Sequence, residues 1–208
     1  MGCEMRVGVL GGTFDPIHYG HLKIASLGLR MLSLNEILFV PARDPWMKKQ
    51  QKISPLVDRE KMLAIALKGF SFFKTHDEPE TEKGSSYSIN LVSHILNQNR
   101  YKNSYLFLFV GDDHLESLSR WKDVDKLLST TTLVYFSRKI NKNKPVGVHR
   151  SSGEIIGVPG AKILEISTPP LHISGYEVRK KMRGNCPVSL FSTRGVAEYI
   201  RARKLYKT

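Results

Sequence analysis

The chain alternates short apolar, β-branched runs with stretches of helical period almost from end to end, and this alternation leaves few folds open. Strand followed by helix, repeated, expects an α/β fold, a doubly wound and mainly parallel sheet with helices on both faces. Strands are expected at 6–10, 36–40, 70–74, 105–110, 131–136 and 162–166. Helices are expected at about 20–32, from the Ser54-Pro55 pair onward, and at 87–97, 174–183 and 193–203. Leu22, Ala25, Leu29 and Leu32 repeat at the spacing of one helix face, as do Ile89, Val92, Ile95 and Leu96. Tyr105–Val110 is almost continuously apolar, as a strand covered on both faces must be. Residues 140–160, with their Lys, Gly and Pro, read as loop. A single domain is expected over 1–208, with a small helical part from about 168.

Composition narrows the class. At 41% hydrophobic and 25% charged residues the chain is neither a disordered tail, a collagen-like rod nor a membrane bundle. Its longest apolar run falls far short of the ~20 residues that span a bilayer. Met1-Gly2-Cys3 opens like a myristoylation signal, but Arg6 stands where that signal needs Ser or Thr. Cys3 and Cys186 form neither a disulfide framework nor a zinc-binding spacing, so a reducing, cytoplasmic setting is expected, with no membrane partner. The net charge of +13 is concentrated late: residues 138–208 hold 15 of the 32 basic side chains and only 4 of the 19 acidic ones.

Between the first strand and first helix stands Gly11-Gly12-Thr13-Phe14-Asp15-Pro16-Ile17-His18-Tyr19-Gly20-His21. This is where a doubly wound sheet opens its ligand crevice. Glycines let main-chain amides approach an anion closely, and the start of the helix adds the positive end of its dipole. The string describes a phosphate site, yet it is neither a Walker loop nor the GxGxxG dinucleotide fingerprint. His18 and His21 flank Gly20, so both imidazoles can address one bound group. Two histidines without Cys or carboxylate at ligand spacing make a poor metal site and a good pair of phosphate donors. Asp15 is expected to fix the turn through its side chain.

At these residues the chain resembles the HxGH nucleotidyltransferases, whose fold is Rossmann-like. In its longer GGTFDPxHxGH form it is similar to the bacterial nicotinate (nicotinamide) mononucleotide adenylyltransferases. Further segments carry the resemblance in order: Val40-Pro41-Ala42 with Pro45-Trp46 and Lys48; Ser86-Tyr87-Ser88; Gly111-Asp112-Asp113 with Leu118 and Trp121; Ile173-Ser174-Gly175-Tyr176-Glu177-Val178-Arg179; and Tyr199-Ile200 with Leu205-Tyr206. Asp112 stands where the family has Ala, and Gly175 and Tyr176 replace its Ser and Thr.

The resemblance implies an enzyme that joins the 5′-phosphate of nicotinate mononucleotide to the α-phosphorus of ATP, releasing pyrophosphate and forming nicotinate adenine dinucleotide for NAD biosynthesis. The attack would be direct and in line, with no covalent intermediate. The nucleophile is already an anion, so catalysis reduces to alignment and charge neutralisation. By resemblance the catalytic residues are His18, His21 and Arg179, and ATP is held by Gly11, Gly12, Thr13, Phe14, His18, Gly20, His21, Ser174 and Arg179. Lys48, Tyr87, Ser88, Asp113, Trp121 and Arg138 are implied for the mononucleotide, with Trp121 stacking on the pyridine ring. Mg²⁺ is implied as a cofactor entering with ATP, held mainly by phosphate oxygens and water, with no protein ligand assigned.

Lys180, Lys181 and Arg183 read individually as solvated charges that together raise the local potential for a polyanion. Asp58-Arg59 reads as a structural pair, and His94, His114, His149 and His172 receive no role. Rival readings are a transferase acting on nicotinamide mononucleotide or phosphopantetheine and, from another class, a basic nucleic-acid-binding module. The late positive charge would give non-specific binding, but no nucleic-acid motif or interleaved stacking aromatics accompany it, so no specific nucleic-acid partner is expected. The sequence leaves a homo-oligomer open.

Overall fold

The computed structural model describes residues 4–45, 53–80, 86–137, 147–151, 161–167, 173–184 and 186–206. Seven strands form one sheet: β1 (Arg6–Gly12), β2 (Glu36–Pro41), β3 (Phe73–Thr75), β4 (Tyr105–Gly111), β5 (Thr131–Ser137), β6 (Gly147–Ser151) and β7 (Ile163–Ser167). Six helices accompany them: α1 (Tyr19–Met31), α2 (Leu56–Leu67), α3 (Ser88–Leu96), α4 (Val124–Thr130), α5 (Gly175–Arg183) and α6 (Arg194–Ala202).

The strand order is β3-β2-β1-β4-β5-β7-β6, and every pairing is parallel except β6 with β7. Connections run outward from β1 toward β3 and then return to β4 on the other side of β1. The crevice where the winding reverses therefore lies between β1 and β4, at their carboxyl ends.

Alternation along the central strands sends side chains to two separate cores. Leu10, Phe107 and Phe109 meet Leu22 and Ala25 of α1, Met62, Leu63 and Ala66 of α2, and Val196 and Ile200 of α6. Val7, Val9, Leu106 and Leu108 meet Ile89, Val92 and Ile95 of α3 with Leu127 and Leu128 of α4. The sheet is thus the middle layer. No helix among the described residues is long and apolar enough to cross a membrane.

Four expectations change. The strand read over 70–74 is only Phe73–Thr75, at the sheet edge, and Phe70 and Phe72 stand exposed before it. Within 140–160, read as loop, Gly147–Ser151 forms β6 by antiparallel pairing with β7; residues 140–146 and 152–160 lie outside the described residues. A 3-10 segment, Asp112–Arg120, and α4 intervene between β4 and β5, where no element was expected. Ser54 does not cap α2: the N-cap position falls on Pro55, whose carbonyl accepts from the Asp58 and Arg59 amides, while the Ser54 carbonyl accepts from Arg59 Nε and its amide donates to Asp15.

Candidate active site

The glycine loop leaves the carboxyl end of β1 at the crevice. Gly11 is exposed there, and a Cβ built on it would meet nothing within 4 Å, so open space lies over the strand end. Phe14 has a φ of 47°, in the left-handed region that aromatic residues seldom adopt. Its ring is fully buried, edge-on to His21 at 5.0 Å and tilted against Phe39 at 5.8 Å. The surrounding core holds this conformation, which reverses the chain between β1 and α1.

His18 precedes α1 in extended conformation, and its amide donates to Nδ1 of His21 at 3.2 Å. That bond makes Nδ1 the acceptor, so in the neutral ring the proton sits on Nε2, which is then a donor. The two imidazoles stack with centroids 3.7 Å apart. Gly20 makes the stack sterically possible: a Cβ there would fall 2.8 Å from Nδ1 of His18 and 3.3 Å from the Ile173 carbonyl.

A bracing network under the loop is absent from the sequence reading. Arg59, 2% exposed, donates through Nη1 to the carbonyls of Thr13 (3.0 Å) and Ala42 (2.8 Å), and through Nε to the Ser54 carbonyl (2.9 Å). Burial pulls its guanidinium below the ordinary value, opposed by the nearby Asp15 carboxylate. Asp15 is buried and accepts from the Ser54 amide at Oδ2 (3.2 Å) and from the Tyr206 hydroxyl at Oδ1. Burial, then Asp15, push that hydroxyl well above the ordinary tyrosine range, which keeps it a donor. Ser192 donates to the Ile17 carbonyl, and the Tyr19 amide donates to the Phe191 carbonyl.

Asp58 and Arg59 are therefore not a pair with each other. Asp58 accepts from Tyr199 (2.8 Å) and Arg203 (3.0 Å) of the last helical segment, while Arg59 turns inward to the loop. The sequence did carry a signal for Arg59: it occupies the buried stripe of α2, in period with Met62, Leu63 and Ala66.

Opposite the loop, α5 begins at Ser174, whose Oγ accepts from the Glu177 amide at 3.2 Å and caps the helix. Its hydroxyl proton stays available to a ligand. Nη1 of Arg179 donates to the Asp15 carbonyl, which brings the guanidinium back across the first turn of α5 to the glycine loop. Gly175 leaves room for it, since a Cβ there would sit 3.2 Å from both Nη1 of Arg179 and the Asp15 carbonyl. Tyr176 is 67% exposed beside this turn.

The residues expected at the mononucleotide are brought together in part. Tyr87 caps α3 and lies under Nζ of Lys122, 5.2 Å from the ring centroid, so the Ser86–Ser88 turn adjoins the Trp121 segment. Trp121 and Tyr87 are half-buried against the α3/α4 core. Asp113 is the second residue of the 3-10 segment at the carboxyl end of β4, beside β1, although its side chain lies outside the described residues. Lys48 and Arg138 also lie outside them.

A mainly parallel sheet with a glycine elbow, paired imidazoles and a facing guanidinium defines a nucleotidyltransferase type of protein, and residues 9–181 match the family described as Cytidylyltransferase-like. The chain is 33% identical over 201 residues to the "Probable nicotinate-nucleotide adenylyltransferase" of Corynebacterium kroppenstedtii, covering 97% of this chain and 90% of that one. It is 34% identical over 202 residues to the protein of the same description from Clostridium botulinum, covering 97% and 98%. The chain belongs to the nicotinate-nucleotide adenylyltransferase family. Among solved structures it is similar to "Plasmodium falciparum nicotinic acid mononucleotide adenylyltransferase complexed with NaAD", with a TM-score of 0.75, 19% identity and 98% of each chain covered, a likeness that shows the fold.

Proposed function

We propose that the protein transfers the adenylyl group of ATP to nicotinate mononucleotide, giving nicotinate adenine dinucleotide and pyrophosphate. The observation that carries this reading is the convergence of the stacked His18 and His21, the Asp15 loop and the Arg179 guanidinium at the reversal point of the sheet. The relatives named above, which align over nearly the whole chain, support it.

In this reading the main chain of Gly11 to Phe14 lines the floor under the reacting phosphates. His18 and His21 donate to phosphate oxygens, His21 through Nε2. Ser174, the first amides of α5 and the Arg179 fork receive the departing pyrophosphate. The mononucleotide occupies the β4 side, with its pyridine against Trp121 and Tyr87, its ends toward Ser88 and Asp113, and its phosphate met by Lys48 and Arg138. A pre-formed array of donors suits this reaction, because charge shifts onto the leaving group as the attacking phosphate advances in line.

Among the described residues no three His, Cys, Asp or Glu side chains gather to hold a metal ion, and the Asp15 carboxylate is already engaged by Tyr206 and Ser54. Mg²⁺ would enter as MgATP, held mainly by phosphate oxygens and water, and would supply charge neutralisation on the triphosphate.

The test is pyrophosphate release from MgATP with nicotinate mononucleotide, nicotinamide mononucleotide or phosphopantetheine as acceptor. Release with the first, at least tenfold faster than with either other acceptor, is expected. Equal rates with the two pyridine nucleotides overturn the substrate assignment, and release with none of the three overturns the activity.

A further inference from the structure

Asp15 presents a problem for a site that takes a nucleoside triphosphate. It places a buried carboxylate in the loop that lines the phosphates, within one residue's reach of the guanidinium meant for them. A carboxylate short of donors there would compete for Arg179, since a buried charge recruits cations within reach and the neighbouring Arg59 already gives its donors to the carbonyls of Thr13, Ala42 and Ser54. The fold prevents this from below. Oδ2 accepts from the Ser54 amide and Oδ1 from the Tyr206 hydroxyl, and the hydrogen bond of Arg179 goes to the main-chain carbonyl of Asp15, a neutral acceptor. Tyr206 lies on the turn after α6, 191 positions from Asp15, packed against the α1/α2 core.

We propose that Tyr206 is a positioning residue for adenylyl transfer, which satisfies the Asp15 carboxylate and so leaves the charge of Arg179 for the triphosphate of ATP. The proposal rests on the assignment of ATP to the glycine loop. It adds a residue that touches neither substrate and acts through Asp15 on Arg179. The burial of its hydroxyl serves this role, because a phenol that stays protonated across the physiological range remains a donor throughout.

Tyr206→Phe removes the donor and keeps the ring. On the full chain the Michaelis constant for ATP is expected to rise about tenfold, a loss of about 1.4 kcal/mol in nucleotide affinity, while that for nicotinate mononucleotide stays within about twofold. Asp15→Asn, which removes the charge that would capture Arg179, should restore ATP affinity in the Tyr206→Phe background to within about threefold of the unsubstituted protein. An unchanged Michaelis constant for ATP overturns the proposal. So does an equal loss for both substrates that Asp15→Asn does not rescue, since that pattern marks a role in folding alone.

Should Tyr206→Phe alone fail to fold, the comparison moves to the Asp15→Asn background. There Tyr206→Phe should leave ATP affinity within about threefold, and a tenfold further loss overturns the proposal. The same variants are titrated with α,β-methylene ATP by equilibrium dialysis, which needs no turnover. If the unsubstituted protein transfers nothing to any acceptor, the function reading fails, and the analogue's dissociation constants still decide the role of Tyr206 by the same tenfold criterion.

Discussion

The imidazole of His18 lies face to face with that of His21, the planes inclined by only 25° and the centroids 3.7 Å apart. Spacing in the sequence puts the two side chains on one side of a turn. The stack itself needs the His18 amide bonded to the His21 ring, the Phe14 ring edge-on to His21 and the missing side chain of Gly20. The pair is thus a pre-set donor array, and its parts can be tested separately.

Gly20→Ala drives a methyl group to 2.8 Å from the ring of His18, a buried residue stacked on His21. Turnover should fall about a hundredfold, in line with the cost of misplacing a reacting group by an ångström. Pyrophosphate release measures it, with His18→Ala as the comparison. Activity within fivefold of the unsubstituted protein would contradict the steric argument.

His21 does two things that a single substitution can separate. Asparagine can still accept from the His18 amide but lacks the Nε2 donor of the imidazole. His21→Asn should therefore keep the melting temperature and lose about a hundredfold in turnover, the order expected for one lost transition-state donor. A melting temperature that drops with activity retained would reverse the assignment.

Arg59→Met should leave the carbonyls of Thr13, Ala42 and Ser54 without their donor, at a cost of about 3 kcal/mol in unfolding free energy. Arg59→Lys should recover little of it, because one ammonium on a flexible stem cannot match the guanidinium fork. Urea titration of the two variants gives both numbers. A loss below about 1 kcal/mol for Arg59→Met would mean that water replaces the arginine.

Stability should depend on pH at both extremes. Burial, reinforced by Glu36 at 2.8 Å, pushes the Tyr101 hydroxyl up to about 12 from an unfolded value near 10. A raised value in the folded state means that the unfolded chain loses this proton first. The contribution is therefore complete below pH 10 and is lost between pH 10 and about 12. Tyr101→Phe should flatten that decline in urea midpoints.

At the acid end, the hydrogen bond from Tyr199 and then Arg203 hold the Asp58 carboxyl below its ordinary 3.8 despite burial. Its contribution is present above 3.8 and fades as pH falls through the lowered value. Asp58→Asn should remove that part of the acid dependence, and an unchanged acid limb in the urea midpoints would exclude it.

Local periodicity determined what periodicity can determine. The alternation of element types, the glycine loop ending β1 and the His18-x-Gly20-His21 spacing were all legible in the residues, because each depends on neighbours a few positions apart. The short strand Gly147–Ser151 was not legible, since it has no strong pattern of its own and exists by pairing with β7. Nor were the partners of Asp15, Asp58 and Arg59, which lie up to 191 positions away and follow from how α2 and the turn after α6 close beneath the loop. A sequence shows which side chains a segment offers. Only the packed chain decides which buried donor meets which buried acceptor, because that depends on distances between segments that local propensity does not set.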